Sequence, residues 1–126
     1  MTKVFVLIAT LLTLCACAKP ISQAEVLEIV VVPQTWSEAL ESDLKQLAKD
    51  RPELNVYQNT AQEADALYQA LLLRDLTAQE VDAICLDPID EALAAPYVEA
   101  AQEAGITVII GNDFSRMIEQ AAQCLQ

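Results

Sequence analysis

The positions of apolar and polar residues divide the chain into one long apolar run and four repeated units. The long run spans Val4–Leu14. Farther along, compact runs rich in β-branched residues predict four strands, at Val26–Val32, Leu54–Tyr57, Ala83–Leu86 and Thr107–Ile110. After each strand, apolar residues at helical spacing predict a helix, with the stripes Trp36/Leu40/Leu44/Leu47, Ala64/Leu67/Tyr68/Leu71, Leu93/Tyr97/Ala100/Ala104 and Phe114/Met117/Ala121/Leu125. The pattern therefore predicts a regular alternation of strand and helix.

The predicted strands end at intervals of about 26 residues, which is the length of a strand–helix unit. Their ends fall near Pro33, Asn59, Asp87 and Asn112. Because strand–helix–strand crossovers are right-handed, such units form a parallel sheet covered by helices on both faces. We therefore expect an α/β fold with a doubly wound, Rossmann-like parallel sheet of about four strands in the order 2-1-3-4.

Polar residues between the runs predict where the helices begin and end. The T-x-x-E pattern of a capping box occurs at Thr35–Glu38 and Thr60–Glu63, each just before an apolar stripe, and predicts two helix starts. The same pattern at Thr77–Glu80 predicts a short helical turn before the third strand. Gly105 is expected at the C-cap of the third helix, and Pro96 near the start of that helix.

The N-terminal run resembles an export signal. Lys3 supplies a short positive region, and Val4–Leu14 is too short to cross a bilayer as a helix, which needs about 20 residues. A lipobox-like pattern predicts a signal peptide over residues 1–16, cleavage before Cys17 and lipidation of the Cys17 thiol. An alternative A-x-A site would place the cleavage before Lys19 and give a soluble product.

Both cleavage patterns predict an exported protein. Residues 17–23 are then a polar tether, and residues 24–126 form a single folded lobe. We expect the protein in the periplasm or cell envelope, and under the lipobox interpretation a lipid anchor is its only contact with the membrane.

Composition excludes several classes of function. The chain has 19 acidic and 7 basic residues, and its net charge of −12 argues against nucleic acid as a partner because it repels phosphate. It has no histidine, which removes the Ser-His-Asp triad, the Cys-His dyad and histidine metal sites. Its two glycines cannot form a GxGxxG fingerprint. We therefore expect no enzyme activity, no cofactor and no metal.

Two cysteines lie in the predicted folded lobe. Cys85 belongs to the third strand, and Cys124 lies on the apolar side of the last helix. An oxidising compartment permits a disulfide between them if their Cα atoms approach closely enough. The apolar surroundings favour the alternative of two buried thiols.

Residues 81–113 carry the resemblance to a known family. The motifs Val81–Ile84, Pro88–Asp90 and Ala101–Ile106 read VDAI, PID and AQEAGI. They resemble the signature of type I periplasmic sugar-binding proteins, the ribose-binding and LacI-like superfamily. The family pattern is a VDAI strand, a P-x-D turn, a helix ending in A-x-x-x-G-I, and a strand ending in Asp. In this sequence Asn112 occupies the position of that Asp.

The resemblance implies a non-enzymatic domain that binds a small polar ligand such as a sugar for an ABC transporter or a chemosensory system. The family has two lobes with the ligand between them, and this sequence matches the N-terminal lobe only. One lobe buries one face of a ligand, so we expect weak binding unless a homodimer or a second-lobe chain completes the site. The alternatives are an interaction or scaffold lipoprotein and a truncated remnant, both without ligand binding.

Ligands of doubly wound sheets bind at the carboxyl ends of the strands. Gln34 and Asp87 fall at this edge, together with the residues that we predict to bind the ligand: Trp36, Asn59, Asp90, Asn112 and Asp113. An aromatic ring suits the C–H faces of a sugar, and amides and carboxylates suit its hydroxyls. The alternative interpretation makes Thr35, Asp90 and Asp113 helix N-caps, and Trp36 part of the core.

Overall fold

A computed structural model describes residues 26–125 of the protein and contains one parallel sheet flanked by four helices. The elements are β1 (Leu27–Val32), α1 (Glu38–Asp50), β2 (Leu54–Gln58), α2 (Ala66–Gln79), β3 (Ala83–Leu86), α3 (Glu91–Glu103), β4 (Thr107–Ile110) and α4 (Phe114–Cys124). The strand order β2-β1-β3-β4 confirms the predicted order. The predicted signal peptide, Cys17 and the tether lie outside the described residues.

The central strands are buried on both faces. Every residue of Ile29–Val32 in β1 and of Ala83–Leu86 in β3 is fully buried. A strand covered on both faces has no solvent side, which explains why these segments are continuous apolar runs rather than alternating ones. β2 lies at one edge of the sheet and alternates between buried and more exposed positions. β4 lies at the other edge, and its last residue, Ile110, is 50% exposed.

Alternate residues of the strands form two core layers. Ile29 and Val31 of β1 point to the layer that α1 and α4 cover, with Leu44 and Met117 among its buried residues. Val30 and Val32 point to the opposite layer, where α2 and α3 contribute the remaining buried side chains: Leu72, Leu73, Leu76, Ala94 and Ala101. The prediction of helices on both faces is therefore confirmed. None of the described helices is long and apolar enough to span a bilayer.

The predicted stripe of α4 is confirmed, that of α1 is confirmed for its three leucines but not for Trp36, which precedes the helix, and the one predicted for α2 is wrong. Leu67 and Tyr68 are 58% and 46% exposed. The buried face of α2 consists instead of Gln69, Ala70, Leu72, Leu73 and Leu76. The first half of this helix is apolar on almost every side, so several faces fit a helical period equally well and packing decides between them.

The stripe predicted for α3 is also mostly wrong. Ala94 and Ala101 are buried, whereas Ala100 and Ala104 are exposed and Leu93 is 36% exposed. The alanine-rich sequence of α3 gives little contrast between its faces. Pro96 lies inside this helix as its sixth residue, beyond the first turn where its missing N–H would cost least.

All three capping boxes predicted from T-x-x-E are wrong. The N-caps of α1 and α2 are Ser37 and Asp65, whose side chains accept from the N–H groups of Leu40 and Tyr68.

The hydroxyls of two of these threonines form hydrogen bonds elsewhere. Thr60 Oγ1 donates to the Pro33 carbonyl at 2.8 Å. Thr77 Oγ1, in the last turn of α2, donates to the Leu73 carbonyl at 2.8 Å. Serine and aspartate cap as well as threonine, so the residue nearer the first helical turn takes the role.

The ends of α2 and α3 differ in their chemistry. Ala104 is the C-cap of α3, and Gly105 follows with φ 93°, a left-handed conformation that suits glycine. The C-cap of α2 is instead Glu80, which has φ 61° and is the single non-glycine residue with positive φ in residues 26–125. The predicted role of Gly105 at the helix end is confirmed, and Glu80 occupies a position where glycine is preferred.

The variant Glu80→Gly is expected to raise the free energy of unfolding by about 1 kcal/mol, because glycine adopts the left-handed conformation without a Cβ clash. Urea unfolding followed by circular dichroism measures the change. The matched variant Gln79→Gly, one residue earlier in the helix, should lower the free energy by about 1 kcal/mol. A loss of stability in both variants would contradict the assigned conformation of Glu80.

The two described cysteines are free thiols in different environments. Cys85 is fully buried, and burial raises the pKa of its thiol to about 12. Cys124 is exposed, so the prediction of two buried thiols is wrong for Cys124. The last turn of α4 buries Ala121 and Ala122, and Cys124 lies outside that face.

Thiol labelling should separate Cys85 from Cys124. We expect maleimide to modify Cys124 in the folded protein and Cys85 only after unfolding, because Cys85 is fully buried and burial raises the pKa of its thiol well above pH 8. Peptide mass mapping assigns the label to each cysteine independently of Cys15 and Cys17. Rapid labelling of Cys85 in the folded chain at pH 8 would contradict its position in β3.

Candidate functional site

The candidate site is the edge of the sheet where the four strands end and all four helices begin. The loops at this edge are residues 33–37, 59–65, 87–90 and 111–113. Backbone hydrogen bonds continue the sheet one residue past the strands: the N–H groups of Asn59, Asp87 and Gly111 donate to carbonyls of the neighbouring strand at 2.9 to 3.0 Å. The edge is therefore a continuous surface with fixed spacing between loops.

Gln34 and Asp87 lie at the centre of this surface. They follow β1 and β3, the adjacent central strands where the strand order changes direction, and ligands of doubly wound folds bind at such a point. Gln34 Nε2 donates to Asp87 Oδ1 at 3.4 Å and to the Pro88 carbonyl at 3.1 Å. Neither residue is in the predicted ligand-binding set. The predicted strand order could have identified them, because both follow the strands where that order changes direction.

Asn59 and Asn112 flank this centre on opposite sides. They follow the outermost strands β2 and β4, so three strand spacings, about 14 Å, separate them. Asn59 is half-buried and Asn112 is exposed, and neither side chain has a hydrogen-bond partner within residues 26–125. The two amides can therefore contact opposite ends of a ligand, but not the same hydroxyl group.

The other predicted site residues already have partners in the protein. Asp90 Oδ1 accepts from the N–H of Leu93 at 3.1 Å and caps α3, and Asp113 Oδ1 accepts from the N–H of Arg116 at 3.4 Å and caps α4. These contacts agree with the alternative interpretation of both aspartates as N-caps. Both side chains remain exposed, so capping does not prevent a second contact with a ligand.

Trp36 lies between β1 and α1 and is half-buried. Its indole Nε1 donates to Glu38 Oε2 at 2.8 Å, and its backbone N–H donates to the Ala61 carbonyl at 3.0 Å. The indole donor is therefore taken within the protein. What Trp36 can offer a ligand is the exposed part of its ring.

Two buried glutamines hold the loops of this edge in place, and the sequence analysis missed both. Gln58, 5% exposed, accepts from the N–H of Ser37 at 3.1 Å and donates to the Ser37 carbonyl at 2.9 Å. Gln69, 2% exposed, donates to the Asp87 carbonyl at 3.0 Å and accepts from the N–H of Ile89 at 3.0 Å. Each amide thus satisfies one donor and one acceptor of a loop. A glutamine within an apolar segment is the sequence signal for such a role.

Acidic side chains dominate the charge of this edge. In the four loops and the first turn of each helix, the acids outnumber a single base, Arg116. The acids are Glu38, Glu41, Glu63, Asp65, Asp87, Asp90, Glu91 and Asp113. The described residues contain no group of three or more acidic or cysteine side chains placed to hold a metal ion. The surface can accept hydrogen bonds from neutral hydroxyls, but it disfavours an anion.

Cavities open at this edge, and Asn112 and Asp113 line two of them. One has a volume of about 450 Å³ and lies between α1 and α4. The other has a volume of about 260 Å³ and lies beside β4 and the start of α4. A third cavity, of about 290 Å³, is lined by Pro88 in the loop after β3, and none of these three cavities is lined by Gln34 or Asp87.

Comparisons with known proteins identify solved structures of the same fold. A solute-binding protein of an ABC transporter from Bacillus halodurans C-125, with bound myo-inositol, is 27% identical with a TM-score of 0.58 and covers 70% of this chain and 31% of its own. GanP, a glucose-galactose binding protein from Geobacillus stearothermophilus, is 21% identical with a TM-score of 0.60, covering 68% and 32%. LsrB from Clostridium saccharobutylicum, in complex with AI-2, is 24% identical with a TM-score of 0.57, covering 67% and 27%.

The chain spans about a third or less of the length of these three proteins. A comparison with curated protein sequences gave no match. The model of one family, described as a periplasmic binding protein domain, matches residues 29–124, which include all of the described helices and nearly all of the sheet. The chain therefore belongs to the periplasmic binding protein domain family, a family of solute-binding proteins.

Proposed function

We propose that this domain is one lobe of an exported solute-binding protein and that its strand-end surface contacts a small, neutral, polar ligand such as a sugar. The observation that carries the proposal is the Gln34–Asp87 pair at the point where the strand order changes direction. The amides of Asn59 and Asn112, which have no side-chain hydrogen-bond partner within residues 26–125, flank it. The 27% identical protein with bound myo-inositol supports a polyol as the class of ligand.

The charge of the surface supports a neutral ligand over an anionic one. Asp87, Asp90 and Asp113 accept hydrogen bonds from hydroxyls, and the amides of Gln34 and Asn112 both donate and accept. A phosphate or a carboxylate would lie against these aspartates with Arg116 as the one nearby cation. Sugar phosphates and sugar acids are therefore expected to bind more weakly than the parent sugars.

Binding without catalysis is the activity that this chemistry supports. The candidate edge offers carboxylates, amides and part of an indole ring, and no nucleophile hydrogen-bonded to a base occurs among the described residues. The thiol of Cys85 is fully buried in β3. The domain therefore acts by presenting a surface to an unchanged solute.

The sequence before the described domain supports export. A signal peptide over residues 1–16 would lead to lipidation at Cys17 and attachment to the cell envelope, and cleavage before Lys19 would release a soluble form. In both forms the physiological partner is a transporter permease or a chemosensory protein, and a second lobe from another chain or a second copy would cover the open face of the ligand.

An interaction or scaffold role is the second candidate, and exposed apolar side chains favour it. Leu67 and Tyr68 are exposed at the start of α2, and Ile110 is exposed on the edge strand β4. An edge strand with a free backbone ladder can pair with another chain. In this role the strand-end surface would bind no solute.

A calorimetric titration of the full chain distinguishes the two functions. We expect a neutral sugar or polyol, from a panel of myo-inositol, D-galactose, D-arabinose and D-allose, to bind with a Kd on the order of 1 mM, because one lobe buries only one face of it. The variant Gln34→Ala should weaken this binding, and Gln79→Ala, at the far end of α2, should not. Absence of binding across the panel, or equal affinity in the two variants, would contradict the proposed site.

A further inference from the structure

We propose that the groove between α1 and α4 docks a basic, amphipathic helix of a partner protein. This function goes beyond solute binding and uses the outer side of one helical layer, which meets the strand-end edge at Asn112 and Asp113. The groove has a volume of about 450 Å³ and begins beside Asn112 at the strand-end edge. The C-terminus of α1 is joined to α4 by an ion pair in which Arg51 Nη1 lies 2.6 Å from Glu119 Oε2. The docking surface is therefore bounded at the end opposite Asn112.

The floor of the groove is apolar. Leu44 and Ile118 are buried at its base, and Leu40, Leu47 and Phe114 are half-buried along its length. These three side chains keep part of their apolar surface in contact with water. Covering that surface with the apolar face of another helix would stabilise a complex.

The rim of the groove is acidic and has no cation to balance it. Asp43 and Asp50 line it from α1, with Gln46 between them, and Asp113 lines it from the start of α4. None of these three aspartates has a Lys or Arg nitrogen within 4.0 Å in the part of the chain that the structure describes. The negative end of the α1 dipole reinforces the field at Asp50, the last residue of that helix.

The position of the lysines on α1 supports the same partner. Helical geometry places Asp43, Gln46 and Asp50 within about 60° of one another, and places Lys45 and Lys49 on average about 110° around the helix from them. Lys45 is 75% exposed, and its Nζ lies 3.9 Å from Glu41, away from the groove. The rim therefore carries only negative charge, and lysines or arginines beside the apolar stripe of a partner helix would complement it.

The length of the groove favours a helix over a small cation. From Leu40 to Asp50 the lining of α1 extends about 15 Å, which equals nearly three turns of a second helix. A small cation could contact one rim aspartate, but it would leave the half-buried leucines uncovered. A helix with an apolar residue at every third or fourth position covers the floor and reaches the two rim carboxylates of α1, Asp43 and Asp50.

A synthetic peptide tests the proposed docking. The probe is an amidated peptide of about 16 residues with leucines on one helical face and lysines beside them, long enough for partial helicity. Nuclear magnetic resonance of the full-length chain should show shift changes at Leu40, Leu47 and Phe114. Raising NaCl from about 50 to about 300 mM should weaken binding, because the rim charges are exposed. A peptide of the same composition in scrambled order should bind less tightly.

Matched charge variants identify the rim. D43N/D50N should weaken peptide binding about fivefold, as expected for two exposed charge pairs, while E99Q/E103Q removes the same charge from α3 on the opposite side of the sheet and should leave binding unchanged. Equal weakening by both variants, shift changes confined to other surfaces, or no binding would overturn the proposal. Nuclear Overhauser contacts between residues 1–25 and the groove without peptide would also overturn it, because this chain would then be the occupant.

Discussion

The variant Leu76→Ala is expected to lower the free energy of unfolding by about 3 kcal/mol, while Leu67→Ala on the same helix should lower it by less than about 1 kcal/mol. Leu76 is fully buried in the layer between the sheet and α2, and its truncation leaves a cavity. Leu67 is 58% exposed and has little packing to lose. Both variants replace leucine by alanine in one helix, so helix propensity contributes equally to the two changes.

Urea unfolding of the two variants measures the difference directly. The sequence pattern alone predicts the reverse order, since it places Leu67 in the buried stripe of this helix. A larger loss of stability for Leu67→Ala than for Leu76→Ala would show that α2 packs on the sheet with its other face. The structural assignment of the second core layer would then be wrong.

The variant Gln69→Met is expected to destabilise the protein by about 2 kcal/mol, because it leaves one half-buried carbonyl and one half-buried N–H without partners. The amide of Gln69 bonds both the Asp87 carbonyl and the N–H of Ile89. Methionine fills a similar volume but supplies neither a comparable donor nor a comparable acceptor. The loop that carries Asp87 should also become more mobile, which hydrogen exchange at Ile89 would detect.

The matched control for this variant is Gln79→Met, at the exposed end of the same helix. Its free energy of unfolding should stay within about 0.5 kcal/mol of the unchanged protein. Equal stability of the two variants would contradict the role of Gln69 as an internal partner of the loop. Unchanged exchange at Ile89 in Gln69→Met would contradict the same role independently.

The strands could be predicted from the sequence because burial on both faces leaves a clear signal. β3 and β4 have the predicted bounds, and β1 and β2 each differ by one residue at one end. The spacing of the units indicated a parallel sheet, right-handed crossovers gave helices on both faces, and the expected strand order is one of the common orders of doubly wound folds. These features depend on the local pattern and on general rules of chain geometry.

The orientation of α2 and α3 could not be predicted, because their sequences are apolar or alanine-rich on several sides. Burial of the polar residue Gln69 on the core side of α2 reverses the usual rule for a helix face. That burial is stabilised by the loop after β3, a contact between residues 18 and 20 positions apart. A local periodicity contains no information about such a partner.

The location of the candidate site could be predicted from the sequence, but the hydrogen bonds of its side chains could not. Strand order indicated the edge, and each predicted site residue in fact lies at that edge. Which side chains remain available depends on hydrogen bonds within the protein, such as the bond from the Trp36 indole to Glu38 and the bond from Gln34 to Asp87. These bonds link residues of different loops or compete with ligand contacts, so the sequence alone does not reveal them.

The most direct test of the proposed function is a nuclear magnetic resonance titration of the full chain with myo-inositol, using the calorimetric panel if a sugar binds better. We expect concentration-dependent shift changes at the strand ends, centred on Gln34 and Asp87 and extending to Asn59 or Asn112, with a Kd on the order of 1 mM. Shift changes that avoid these loops, or a monomer that binds with a Kd below about 1 μM, would contradict a single lobe with one open binding face.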